Sequence, residues 1–439
     1  MPARHFHNHL PDYAPGNQVA VNVAHTLQTF SAVLQDVLKA PTRKPSVYTG
    51  AAGVAYALWH CARHAPQLAP AVSQAALLSG AERYARAALE GIASQPPERY
   101  GWSLLAGHAG VYATGALVFD AAAAAAEQQG RGDAADGLRA ERERCVQRYA
   151  ALGSLAASST CQEDEVLYGR SGYLLGCLLL DRHLSTGSLR VTDDAIQMVV
   201  QAVVALGCRQ AAAAGPGCPS PLWFMWHDKP YLGAAHGTIG ILFALLQLPE
   251  AVAAIPGAQA DVEAALDYVL TLECDAKGQP GKRGRDAWGG HYPTQMGPWR
   301  DREPLVHWCH GATGAVFLFC QAAESLGAEA GAPYLAAALR AGQAVWERGL
   351  LTKGPGLCHG VSGSAYALLR LHKATGEARW LHRALQFAAF MEGEEFRAGA
   401  RTPDHPQSLF EGCAARLCLL ADLAGGPYKA AFPMFEVDF

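Results

Sequence analysis

The sequence has no strong excess of charge of either sign. Its 35 lysines and arginines against 39 aspartates and glutamates leave a formal net charge of −4. A phosphate backbone needs a basic face to bind, so this balance argues against nucleic acid as the main partner. The N-terminal Met1-Pro2-Ala3-Arg4-His5-Phe6-His7 lacks the apolar core of a secretion signal, and residue 2 is not the glycine that myristoylation requires. The longest apolar stretches, such as 241–248, are too short to span a bilayer and end at charges or prolines. A cytoplasmic location is therefore expected, with peripheral membrane association left open. The twelve cysteines lack the dense spacing of a disulfide scaffold. Most, such as Cys177 and Cys320, sit in apolar runs and read as buried reduced thiols. Strand-like alternation is scarce.

What is present is half hydrophobic, ample for a large core, and it is repetitive. A glycine turn leading into an apolar run recurs as Gly50-Ala51-Ala52-Gly53, Gly107-His108-Ala109-Gly110, Gly169-Arg170-Ser171-Gly172, Gly237-Thr238-Ile239-Gly240, Gly311-Ala312-Thr313-Gly314 and Gly360-Val361-Ser362-Gly363. A seventh copy, Gly412-Cys413-Ala414-Ala415, has alanine for the second glycine. The apolar runs that follow read as buried helices. Between them lie segments with apolar residues at three-and-four spacing: 22–40, 81–93, 138–156, 194–205, 261–274, 334–348 and 379–391. The alanine run 121–126 reads as helix passing into a polar loop over 128–136.

Outer helix, glycine turn, inner helix, seven times over, implies an all-α ring. Seven helical hairpins stack side by side and close into a double-layered α/α toroid that takes residues 1–439 as one domain, with 1–40 supplying an N-terminal segment and the first outer helix. All inner-helix N-termini then face one end, which gathers the loops before the glycines and the positive ends of the helix dipoles. That end is the expected place for a site.

Two of those loops carry chemistry. His307-Trp308-Cys309-His310-Gly311 and Gly356-Leu357-Cys358-His359-Gly360 each set a cysteine beside a histidine ahead of a glycine turn. Together they offer two thiolates and an imidazole, a soft donor set suited to zinc, and three protein ligands leave a position open for water or a substrate thiol. Their spacing matches no zinc-finger template. His236 precedes its own glycine turn and could serve as a general acid or simply close a helix entrance. His310 could orient substrate or pack. Glu165 lies just before Tyr168-Gly169-Arg170, where a carboxylate could act as base or cap a helix. Lys353 stands in a glycine-proline loop five residues before Cys358 and joins His236 and Glu165 as a candidate catalytic group; it could also bind a carboxylate.

These strings, with Tyr231-Leu232-Gly233-Ala234-Ala235-His236-Gly237, Leu167-Tyr168-Gly169-Arg170, Arg401-Thr402-Pro403-Asp404 and Ser408-Leu409-Phe410-Glu411-Gly412, resemble the eukaryotic LanC-like proteins, relatives of the bacterial lanthionine synthetase C cyclases. The resemblance covers nearly the whole chain. It implies a zinc ion held by Cys309, Cys358 and His359, His236 as general acid, and a carboxylate at Glu165 where the bacterial cyclases have a catalytic aspartate. It further implies glutathione contacts from Arg4, Lys353 and Arg401. The activity it implies is addition of the glutathione thiol to dehydroalanine or dehydrobutyrine in proteins or peptides, these acceptors arising by β-elimination from phosphoserine or phosphothreonine. Two alternatives stand beside it: a peptide cyclase that forms lanthionine, and a glutathione-binding scaffold without turnover.

Overall fold

The apolar runs after each glycine turn have no polar face, so each is stable as a helix only where it is surrounded on all sides. In the structure, a computed structural model describing residues 3–97, 100–279, 289–297 and 303–437, they form the inner layer of a ring. The seven inner helices are Ala51–Ala62, His108–Gln128, Arg170–His183, Thr238–Leu246, Ala312–Ala330, Val361–Thr375 and Ala414–Gly425. Each packs on the next, and the seventh packs back on the first. Seven amphipathic helices wrap them: Val23–Val37, Gln74–Ile92, Gly132–Ala151, Asp193–Ala214, Ala258–Thr271, Ala332–Arg348 and Ala378–Phe390. Among the described residues there is no strand, only isolated bridges. The all-α double-layered toroid expected from the repeat is the observed architecture.

The helix boundaries differ from expectation where local chemistry extends them. The second outer helix starts at Gln74, not 81, because Ser73 accepts a hydrogen bond from Ala76 N and caps it there. The fourth starts at a Thr192 cap, which accepts from Ala195 N, and runs through the alanines 211–214 to Gly215, whose positive φ ends it. The stretch 128–136, expected as loop, is loop only over 129–131. Helix resumes at Gly132, with Asp133 at the positive end of its dipole. By length and composition two helices, His108–Gln128 and Asp193–Ala214, would suffice to cross a membrane. In the structure they belong to the inner and outer layers of the ring, the first mostly buried.

The glycine pair has a steric cause. The loop before each inner helix doubles back so that its carbonyls lie against the helix start. A Cβ on Gly53 would sit 2.0 Å from Val47 O, and one on Gly363 2.0 Å from Leu357 O. Real Cβ atoms do not approach backbone oxygen so closely, so the loop would have to move. Gly363→Ala is accordingly expected to lower stability by about 2–4 kcal/mol. Gly137→Ala, exposed in an outer helix with open space around it, should raise it by about 0.5–1 kcal/mol. Thermal melts of the two variants beside wild type check both signs.

The same loops are knitted to one another around the mouth of the ring. Tyr48 N donates to Leu105 O at 2.8 Å, Val166 N to Ala235 O at 3.1 Å, Trp308 N to Cys358 O at 3.0 Å, Cys358 N to Phe410 O at 2.9 Å and Phe410 N to Tyr48 O at 3.2 Å. Ser103 Oγ donates to Leu167 O at 2.6 Å. The hole itself is filled by a segment that no repeat announces. Phe432 and Phe435 pack into the centre against Trp308 and Phe317, Phe435 stacks on Phe243, and Phe432 meets Tyr366. Arg370 reaches this plug through Glu436 at 2.9 Å.

Candidate metal centre and its pocket

Every inner-helix glycine turn places its loop at the same end of the ring, and the belt of loop hydrogen bonds fixes the fifth and sixth loops against each other. The Cys358 carbonyl accepts from both Trp308 N and Cys309 N, at 3.0 and 3.3 Å. Trp308, 1% exposed, anchors its loop by packing on Phe410 and Phe432. Gly311, at φ +109°, turns that loop into its helix in a conformation that favours glycine. The result is that one donor atom each from Cys309, Cys358 and His359 lies within 4.8 Å of the other two. Both cysteines are buried and His359 is half-buried. Burial, and next the neighbouring Cys309, hold the Cys358 thiol well above its ordinary range. Two thiolates can coexist there only with a cation between them. The donor set fits zinc in number and in softness, with one corner left for a further ligand.

These residues open onto a cavity of about 430 Å³ whose lining also includes Arg4, His236, His307, His310, Lys353 and Arg401. The three cations come from distant parts of the chain. The N-terminal segment is strapped along the sixth loop: Phe6 N donates to Leu350 O at 2.7 Å and Thr352 N to Arg4 O at 3.2 Å. Arg401 N in turn donates to Thr352 O at 2.8 Å. Arg4, Lys353 and Arg401 therefore meet at one rim, all three exposed. Arg4 already donates from Nη1 to Glu303 O at 2.8 Å. Burial, and next the Lys353 charge, keep His307 well below the usual imidazole range, so it is neutral.

His236 lines the same cavity. Its Nδ1 lies 2.9 Å from Glu165 Oε2. A carboxylate only accepts, so Nδ1 carries the proton and Nε2 is the nitrogen left for chemistry. Glu165 itself does not line the cavity. It is 2% exposed, accepting from Leu167 N at 2.9 Å and Tyr168 N at 2.6 Å. It meets the pocket through the His236 ring that it holds by hydrogen bond. Burial lifts its carboxyl above the ordinary range, against the pull of His236 and the two amides.

Two functional neighbours escaped the sequence. Trp226 stacks on His236, ring centroids 3.9 Å apart and 10° from parallel. It is held there by a tight turn in which His227 and Asp228 both have positive φ, +48° and +57°. The second is Tyr48, which lines the cavity beside the two cysteines. Burial first, then the adjacent thiols, push its phenol far up, so it stays protonated and keeps a proton to donate toward them. A Trp-His-Asp run with no glycine turn carries no signal of site membership. Tyr48 does directly precede the first repeat, so counting loop residues at the ring mouth would have found it.

Comparison with known proteins agrees with this architecture. The model of the family described as lanthionine synthetase C-like protein matches residues 41–437. The zebrafish protein named Glutathione S-transferase LANCL1 is 32% identical over 421 residues, 95% of this chain and 92% of that one. The Arabidopsis thaliana LanC-like protein GCL1 is 34% identical over 276 residues, 62% of this chain and 58% of its own. Among solved structures, nisin cyclase superposes with a TM-score of 0.62 over 91% of this chain and 94% of its own, at 14% identity, a likeness of fold. A family model spanning most of the chain, joined to a relative matched over nearly its full length, leads to one conclusion: the chain belongs to the lanthionine synthetase C-like family.

Proposed function

We propose that the chain is a zinc-dependent enzyme that adds the thiol of glutathione to dehydroalanine or dehydrobutyrine residues of proteins or peptides. The observation that carries the reading is the shared cavity: a two-cysteine, one-histidine donor set, a carboxylate-oriented histidine and three cations all line or back one space. The name of the zebrafish relative supports the choice of glutathione as thiol donor.

Cys309, Cys358 and His359 would hold zinc, which when bound lowers the pKa of a coordinated thiol so that it is nucleophilic at neutral pH. Glutathione carries two carboxylates, and guanidinium and ammonium groups recognise carboxylates by charge-assisted hydrogen bonds. Lys353, Arg4 and Arg401 stand at the rim where those groups would lie. In the reaction the thiolate sulfur forms a bond to the β-carbon of the acceptor, the carbon–carbon π pair moves to the amide as an enolate, and a proton is delivered to the α-carbon. We assign that proton to His236 Nε2, with Glu165 stabilising the protonated ring through Nδ1, a role supported by their 2.9 Å contact. Glu165 thus acts as a positioning residue. Trp226 blocks one face of the imidazole and keeps it from turning.

The experiment is to incubate the purified protein with a dehydroalanine-containing peptide and glutathione, and to follow peptide mass. A gain of one glutathione per acceptor, faster than the uncatalysed addition, is expected. Arg401→Ala should raise KM for glutathione by about ten-fold, with a smaller effect on kcat. An adduct no faster than the blank would leave binding without turnover. A product cyclised through a cysteine of the peptide itself would favour the cyclase reading.

A further inference from the structure

At the end of the ring away from the zinc pocket, the first and seventh inner helices meet, and the cluster that joins them has no part in the chemistry above. His60 lies in the last turn of Ala51–Ala62, His64 one turn beyond it, and Asp422 in the last turn of Ala414–Gly425. His60 Nε2 lies 2.7 Å and His64 Nε2 2.8 Å from the same carboxylate oxygen, Asp422 Oδ1. All three residues are buried, at 2%, 8% and 0% exposure. The other carboxylate oxygen, Oδ2, accepts from Tyr366 OH at 2.7 Å.

We infer that His60, His64 and Asp422 form a second metal site, for a divalent first-row transition ion such as zinc, which clasps the first hairpin of the ring to the last. The donor atoms all lie within 4.8 Å of one another. His60, in the last helical turn, and His64, in the turn just past the helix end, bring two imidazoles to one carboxylate oxygen, an N₂O set of the kind that holds zinc at about 2.0–2.2 Å from each ligand. The N···O separations of 2.7 and 2.8 Å need to open by about 0.5–0.9 Å to reach the ligand spacing of a tetrahedral ion. Tyr366 holds the carboxylate from behind, as outer-sphere hydrogen bonds do in metal sites. His60 Nδ1 is buried with no hydrogen-bond partner among the described residues, so what orients this ring is what its Nε2 meets. The sequence also leaves room for His64: a Cβ on Gly425 would sit 2.0 Å from its Nδ1. His64, the most exposed of the three, is the side from which an ion would enter. A proton-shared His-Asp-His cluster is the competing description, and it holds no metal.

Metal counting separates the two. Tagless full-length protein, equilibrated with excess zinc and desalted, should retain two zinc ions per chain. His64→Ala should retain one, and the Cys309→Ser, Cys358→Ser double variant should also retain one. Cobalt titration of the wild type reads the same question without any variant. One equivalent should bring thiolate-to-metal charge-transfer absorption, and a second should bring ligand-field absorption alone. Retention of a single zinc by wild type, with a single cobalt transition, would overturn the assignment. So would a second zinc that persists in His64→Ala, since it would belong to other histidines. The pocket's own metal is scored by the charge-transfer band, so a failure there and a failure here are read separately.

Discussion

Cys358→Ala should add glutathione to a dehydroalanine peptide about 10³-fold more slowly than wild type, and should lose the thiolate-to-metal absorption of the cobalt-loaded protein. The size follows from what a metal contributes to a reacting thiol, several kcal/mol of charge stabilisation, with about 1.4 kcal/mol per factor of ten in rate. The residue is buried within a loop whose peptide groups bond on both sides, to Phe410 O and from Trp308 N, so the side chain can be shortened while the loop stays in place. Cys320→Ala is the control. Cys320 is also fully buried, but in the middle of an inner helix and outside the pocket. A structural loss would appear in both variants, a catalytic one in Cys358→Ala alone. Treatment with a strong chelator should reproduce the loss in wild type and leave the residual rate of Cys358→Ala unchanged. Equal rates for wild type and Cys358→Ala would remove the metal from the mechanism.

The ring was legible because its period is long and its steric cause is local. Each Gly-x-x-Gly marks a place where a loop carbonyl occupies the volume of a Cβ, as at Gly53 and Gly363, and that constraint is written into the sequence at every repeat. Where the constraint relaxes the motif does too: at Ala415 the inner helix begins after Cys413 instead of after a glycine. Cys309, Cys358 and His359 were legible for the same reason, since each stands at a fixed distance from such a turn. Residues that join the site through long-range packing were not. Trp226 reaches His236 from a turn of its own. The plug of Phe432 and Phe435 has no partner nearby in sequence, because its neighbours, Phe243, Phe317 and Tyr366, come from three different inner helices. The clasp of His60, His64 and Asp422 joins residues more than 350 positions apart, and only ring closure brings them together. The role of Glu165 was half visible. A carboxylate near the third turn was marked, but that it serves His236 depends on the third and fourth loops being bonded through Val166 N and Ala235 O.

The largest effect after removal of the metal should come from His236→Asn, a loss of about 10²–10⁴-fold in kcat, the usual contribution of a positioned general acid. KM for glutathione should change little, because its carboxylates are assigned to Arg4, Lys353 and Arg401. Glu165→Gln tests the origin of the effect. An amide in that place can still accept from Leu167 N or Tyr168 N, but it carries no charge to stabilise a protonated His236, and through its NH₂ it can donate to Nδ1 and reverse the tautomer. If His236 works as the acid, Glu165→Gln should lose a large part of the same factor while its melting temperature stays near that of wild type, and adding the second substitution to His236→Asn should cost little more. Two residues acting as one unit give such non-additive losses, whereas two independent structural contributions would multiply. Trp226→Phe keeps an aromatic face over the ring and should retain most of the rate; Trp226→Ala frees the imidazole to rotate and should behave as a weaker form of Glu165→Gln. Multiplying losses in the double variant, or full activity in His236→Asn, would mean that the α-carbon takes its proton from elsewhere. Tyr48, whose phenol stays protonated beside the two cysteines, would then be the group to test.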